Sequence, residues 1–240
     1  MRSGLAAILV STVLTGAAVA ADLAPAPAEP VAPATPYNWT GLYAGLHAGY
    51  GRGREKDNQS VLFPNRTGSG TASDKFDMDG FAGGAHAGYN YQLAGGFVVG
   101  LEGDIDYADM KGSQRGSYAG GASLRTLEMK SEWQGSIRAR VGYTIDNILL
   151  YATGGVAFAD GKLTNSGSDN GTPVASTSSS KAHLGWTIGL GAEYAFTRNW
   201  IGRLEARHSD FQNKSYQTSD GPVKAGWNQT TVMAGGSYRF

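Results

Sequence analysis

Residues 132–143 read EWQGSIRARVGY. The even positions Glu132, Gln134, Ser136, Arg138 and Arg140 are polar or charged, and the odd positions Trp133, Gly135, Ile137, Ala139, Val141 and Tyr143 are apolar or small. Side chains alternate across an extended strand, so this pattern predicts one apolar face with an aromatic at each end and one charged face.

The same period recurs along the chain and predicts eight strands, at 39–53, 76–91, 95–109, 128–144, 147–162, 180–197, 199–213 and 226–240. In the third, Phe97, Val99, Leu101, Ile105 and Tyr107 oppose Glu102, Asp104 and Asp106. In the sixth, Leu184, Trp186, Ile188, Leu190 and Tyr194 oppose His183, Thr187 and Glu193, and in the seventh Trp200, Leu204 and Ala206 oppose Arg203, Glu205 and Arg207. The fifth, around LLYATGGVAF, is too evenly apolar or small for its faces to be assigned.

Alternation alone also fits a soluble sandwich, and the connections discriminate. Tight links around 93–95, 146–147 and 198–199 alternate with longer polar segments at 54–75, 110–127, 163–179 and 214–225. An even strand number, short turns on one side and long polar loops on the other predict an all-β, eight-stranded antiparallel transmembrane β-barrel. Closure supplies the physical reason, because in lipid every backbone N–H and C=O needs a partner and only a closed sheet has no free edge. A sandwich would leave charges of both signs on its outer faces unexplained.

Composition agrees. Glycine is 36 of 240 residues, against about 7% in average proteins, and 12 Tyr accompany it. Cysteine is absent, which removes disulfides and thiolate chemistry, and 20 basic residues balance 20 acidic ones, unlike the basic footprint of a nucleic-acid binder. Residues 1–20 carry Arg2, an apolar stretch and Ala18-Val19-Ala20, the order of a secretory signal peptide, and 21–36 form a Pro/Ala-rich leader before the barrel at 37–240.

With the apolar faces turned to lipid, the interior is expected to hold Glu102, Asp104, Asp106, Glu132, Glu193 and Glu205 against Arg138, Arg140, Arg203, Arg207 and Arg239. Charges of both signs in so narrow a space are expected to pair, because an isolated buried charge is costly. An eight-stranded barrel has room for side chains or one small ligand, so the expectation is a salt-bridged plug and not a one-chain pore. No nucleophile elbow, zinc-protease or phosphate-loop motif is present, and His208-Ser209-Asp210 are strand neighbours pointing to alternate faces. The expectation is therefore no enzyme and no metal site. GLYAGLHAGY (41–50) and GFAGGAHAGY (80–89) share six of ten positions, which places His47 and His86 in one interior phase without fixing a shared height.

PYNWTGLYAGLHAGYG, GGFVVGLEGDIDY, SEWQGSIRARVGY, LLYATGGVAF, GWTIGLGAEYAFTRNW and the terminal SYRF, taken in order, resemble the alphaproteobacterial outer-membrane barrel family that includes the Brucella major surface antigens and the Bartonella hemin-binding outer-membrane proteins. The resemblance covers residues 36–240. It implies an eight-stranded barrel similar to the OmpA membrane domain, structural and surface-exposed in the Gram-negative outer membrane, with long loops outside and termini in the periplasm. It also implies envelope integrity and host or environment contact, with membrane lipid and lipopolysaccharide around the wall and the barrel assembly machinery reading Phe240. Two alternatives come with it, a small-solute porin and hemin binding, with heme the one cofactor in view. Since His or Tyr can ligate heme iron, the candidates are His47, His86, His208, Tyr118 and Tyr216, the last three expected in loops near an outer rim.

Overall fold

The computed structural model describes residues 37–55, 70–72, 77–118, 122–218 and 221–240, so the expected signal peptide and leader lie outside the described residues. In chain order the strands are β1 (Gly41–Glu55), β2 (Gly70–Ala72), β3 (Asp77–Gln92), β4 (Phe97–Tyr118), β5 (Ser123–Ile145), β6 (Ile148–Asp169), β7 (Thr172–Ala195), β8 (Trp200–Phe211), β9 (Lys214–Thr218), β10 (Gly221–Ala225) and β11 (Trp227–Arg239). Eight of them are barrel staves, in the order β4-β3-β1-β11-β8-β7-β6-β5, and pairing of β4 with β5 closes the ring. All stave pairs are antiparallel, and the last strand returns beside the first, with Tyr43 opposite Arg239 and Glu55 opposite Trp227. β2 adds to the end of β4, and β9 with β10 forms a separate hairpin.

The expected faces hold. Leu46, Phe81, Leu101, Ile137, Leu190 and Leu204 are exposed on the outer wall, while Glu102, Arg138, Glu193 and Arg203 are buried inside. One aromatic girdle contains Tyr89, Phe97, Tyr143, Tyr194, Phe196, Trp200, Tyr238 and Phe240, and a second contains Tyr50, Phe81, Tyr107, Trp133, Phe158 and Trp186. Rings on neighbouring strands meet edge to face, with centroids 5.4 Å apart for Tyr50 and Phe81 and 5.5 Å for Tyr107 and Trp133. An apolar band between two aromatic girdles fits a bilayer, where amphipathic rings sit at the interfaces. The unassigned LLYATGGVAF stretch also resolves. Leu149, Tyr151, Thr153 and Ala157 point inward, and Leu150, Val156 and Phe158 point outward.

Three expected loops are largely strand instead, 214–225 as the β9–β10 hairpin. Most of 110–127 and 163–179 continues the ladders of β4 to β7 beyond the outer girdle. Their polar Ser, Thr and Asn side chains suit a sheet standing in water as well as a loop, so composition alone misplaced them. The β6–β7 hairpin closes through Asn170 (φ 49°) and Gly171 (φ 81°), the left-handed pair that a two-residue hairpin turn requires. Of the expected loop 54–75, residues 56–69 and 73–75 lie outside the described residues.

Glycine lets the interior close. Tyr43 on β1 lies over Gly88 on β3, where an added Cβ would stand 2.4 Å from the tyrosine oxygen. Tyr151 lies over Gly191 in the same way, at 2.4 Å from the ring. A bulky ring over a bare backbone fills the interior without pushing the staves apart.

Candidate functional site

The middle of the lumen is a closed ion-pair lattice built from β4, β5, β7 and β8. Each carboxylate or guanidinium sits every second residue on its strand, which is what keeps all of them inside. Arg138 donates from Nη2 to Glu102 Oε1 at 2.5 Å and to Asp104 Oδ2 at 3.1 Å, and from Nη1 to Glu205 Oε1 at 2.6 Å. Arg203 forks onto Glu102 at 3.0 and 3.1 Å and also reaches Glu205 at 2.8 Å. Arg207 donates to Asp104 at 3.0 Å and to Glu205 at 3.1 Å. Arg140 donates to Glu193 at 2.8 Å and lies over the Tyr151 ring at 4.0 Å. With Asp106, 3.5 Å from Arg207, five carboxylates therefore meet four guanidiniums, all buried.

Two of the expected members fall outside. Glu132 is exposed, because β5 carries an extra residue relative to β6 between Lys130 and Gln134, and the bulge turns both Glu132 and Trp133 outward. Above that bulge the inward positions are odd (Ser131, Met129, Leu127), below it even. The two backbone donors the bulge frees, Glu132 N–H and Trp133 N–H, both bond to Asp160 Oδ1, at 2.9 and 2.7 Å. Arg239 ends its strand at the periplasmic rim, beyond the level of the carboxylates. There it donates to the backbone carbonyls of Asn38, Thr40 and Arg198, and its guanidinium covers the Tyr37 ring.

His47 and His86 do meet. Their Nδ1 atoms are 2.8 Å apart, His47 Nε2 is 2.5 Å from Asp106 Oδ1, and His86 Nε2 is 2.7 Å from Ser237 Oγ. One proton assignment satisfies all four groups: Ser237 donates to His86, His86 to His47, and His47 to Asp106. Both nitrogens of each ring are thereby used, and the 2.8 Å gap between the rings admits no iron. Two of the other hemin candidates are also engaged. Tyr216, expected in an accessible loop, is fully buried, its hydroxyl against His183 Nε2 at 2.5 Å and Gly161 O at 3.1 Å. His208 faces the outer wall beside Trp186 and bonds Thr230 Oγ1 through Nδ1 at 3.0 Å. Tyr118 ends β4, and its side chain lies outside the described residues. Among the described residues no cluster of His and carboxylates suits a metal ion.

The lattice is sealed above and below, which sequence reasoning missed. Toward the outer mouth lies an apolar layer of Met78, Met110, Leu127, Met129, Leu163, Phe211, Tyr216 and Trp227. Hairpin β9–β10 carries Tyr216 into it. Toward the periplasm, Trp39 packs with Val98, Leu149, Tyr151, Ala195 and Ile201. The signal for the upper layer was in the parity: Trp227 shares the phase of Gln229 and Thr231, opposite to lipid-facing Val232 and Tyr238. Tyr43, whose hydroxyl donates to Glu102 at 2.7 Å and accepts from Arg140 at 2.7 Å, likewise shares the phase of His47.

Residues 11–240 match the family model described as an outer membrane protein beta-barrel domain. The chain is 34% identical over 244 residues to the 31 kDa outer-membrane immunogenic protein of Brucella melitensis, all of both chains covered. It is also 34% identical over 247 residues to the 25 kDa outer-membrane immunogenic protein of Brucella abortus, again in full. The chain belongs to this outer-membrane β-barrel family. A 22 kDa outer membrane protein of Rhizobium leguminosarum is 35% identical over 161 residues, 67% of each chain. Among solved structures, OprG of Pseudomonas aeruginosa aligns with 85% of this chain and 98% of its own at 14% identity and a TM-score of 0.49. The strand pairing within the barrel itself carries the fold.

The protein is thus a surface-exposed structural barrel of the Gram-negative outer membrane, with membrane-spanning strands and extracellular loops. The outer girdle marks the cell surface and the Phe240 end marks the periplasm.

Proposed function

We propose that this barrel acts as a closed wall element of the envelope. It anchors the outer leaflet, holds its long hairpins at the cell surface for contact with host or environment, and neither conducts solutes nor catalyses a reaction. The observation that supports this most is the three-layer filling of the lumen: an apolar layer, an ion-pair lattice that joins facing staves, and a second apolar layer under Trp39. Such an interior gives the wall stiffness and fills the lumen at three levels among the described residues. Lipid and lipopolysaccharide around the apolar band, and assembly machinery engaging the exposed terminal Phe240, are the partners this role needs.

Planar-bilayer recording of the refolded full chain tests the reading. Leak-level current together with heat-modifiable migration is expected, and reproducible unit conductance would overturn it. A deletion strain that is no more sensitive to detergent than its parent would remove the envelope role.

A further inference from the structure

We propose that the outer wall of β4, β5 and β6 is a binding site for an acylated sugar phosphate of the outer leaflet, its phosphate held by a row of lysines and an acyl chain lying in a groove below them. This rests on the outer-membrane reading above and adds a site to it. The strand register places Lys111 directly opposite Lys130, and Lys130 directly opposite Lys162. All three side chains lie on the outer side of the wall. Like charges directly opposite in a sheet destabilise it, so the row calls for an anion.

The neighbouring acids do not supply it. Asp109 takes Lys111 at 2.6 Å. Asp160 spends Oδ1 on the two bulge N–H groups of β5. Glu128 and Glu132 are exposed nearby, yet among the described residues neither Lys130 nor Lys162 has a carboxylate within 4.0 Å. Two cations of the row are left to solvent or ligand.

Height selects the anion. Tyr107, Trp133 and Phe158 of the outer girdle lie three or four residues down the same three strands. At about 3.4 Å per residue and a tilt of about 40°, the lysines stand roughly 10 Å above the girdle, among the lipid headgroups. Below the girdle an open groove of about 710 Å³ runs from this wall across β3 to β1, bordered by Leu46, Ala85, Gly103, Ile105, Ile137 and Phe158. The Phe158 ring is laid over Gly135, 2.5 Å from where a Cβ would stand, which leaves the space beside it free. At Gly103 an added Cβ would meet only Ser136 O, at 3.8 Å. An amphiphile with phosphate at the top and a hydrocarbon chain beneath fits both halves, and each of β4, β5 and β6 contributes to both.

The test is native mass spectrometry of the full-length folded barrel in detergent, titrated with bisphosphorylated lipid A. At low salt, removal of both free charges in Lys130→Gln/Lys162→Gln is expected to weaken binding about 25-fold, roughly fivefold for each lysine. Lys130→Arg/Lys162→Arg should retain it. Gly103→Leu, which fills the groove without touching the wall, should weaken acylated lipid A and leave its deacylated sugar phosphate unchanged. Equal binding by wild type and the double Gln variant, or equal binding of dephosphorylated lipid A, would overturn the site. Displacement by equimolar inorganic phosphate would overturn the headgroup as its source. Heat-modifiable migration and bilayer current report on the barrel itself, so loss of the site and loss of the closed-wall reading are separate results. If the double Gln variant does not fold, the Gly103→Leu and dephosphorylated arms decide.

Discussion

Arg203 on β8 reaches Glu102 on β4 across the width of the barrel, with Nη1 3.0 Å from Oε2 and Nη2 3.1 Å from Oε1. In the closed order of eight staves these two strands stand four apart, on facing walls. The fork is therefore a strut. Glu102 also accepts from Arg138, beside it on β5, and from Tyr43 on β1, so one carboxylate links three staves to its own.

Removing that carboxylate leaves buried guanidiniums facing one another without the charge that pairs them. Breaking a buried pair from one side costs about 3–5 kcal/mol. Glu102→Ala is expected to lower the stability of the barrel in lipid by that amount, read as the urea midpoint of tryptophan fluorescence. A loss below about 1 kcal/mol, the range of a surface ion pair, would show the strut carries little.

Glu132 and Asp160 make a matched contrast. Both were acids on predicted strands, but Glu132 is an outward side chain at a bulge, and Asp160 is the acceptor for the bulge's two freed N–H groups. Hydrogen bonds to a charged group contribute about 1.5–3 kcal/mol. Asp160→Ala should destabilise by about that much and raise amide exchange at Glu132 and Trp133, while Glu132→Ala leaves both unchanged. Equal exchange in the two variants would reject this role for Asp160.

This contrast shows what the sequence could and could not tell. Period-two alternation is a local property, so it put Glu102, Asp104, Arg138, Arg203, Glu205 and Arg207 inside correctly. A bulge adds a single residue and flips the phase beyond it, and nothing in EWQ announces that. Arg239 had the correct parity but the wrong height, since alternation says which face a residue takes and not how deep it lies. Depth depends on inter-strand register, which also decides that His47, two residues beyond the partner of His86, touches it. The outer hairpins were misplaced for a related reason: a sheet in water has no apolar face to betray it.

The apolar layer predicts a separation between stability and conductance. Trp227 is fully buried against Phe211 and His183, with ring centroids 4.7 Å away in each case. Truncating a buried aromatic costs about 3–5 kcal/mol, so Trp227→Ala should lower the urea midpoint substantially. It should not create a pore, because the lattice below still blocks the lumen. Unit conductance in Trp227→Ala would mean that the apolar layer alone is the seal.

His183 gives the outer mouth a pH dependence of known sign. It lies above Trp186 on β7, outside the membrane band, with Nδ1 2.9 Å from Gln212 O. A carbonyl only accepts, so Nδ1 carries a proton, while Nε2 lies against the Tyr216 hydroxyl. Burial pushes the His183 pKa down, and Lys214 and Lys181 push the same way, against the Gln212 carbonyl, which favours the charged ring. A depressed histidine binds its proton in the unfolded mouth before it does in the folded one. Its contribution is therefore complete above the ordinary value of about 6.5 and is lost as pH falls below it toward the lowered folded value. Hydrogen exchange at Trp227 and in β9 should accelerate from pH 7.5 to 5.5 beyond the intrinsic chemical trend, and His183→Gln should flatten that excess. An excess that persists in His183→Gln would assign the pH dependence to another group.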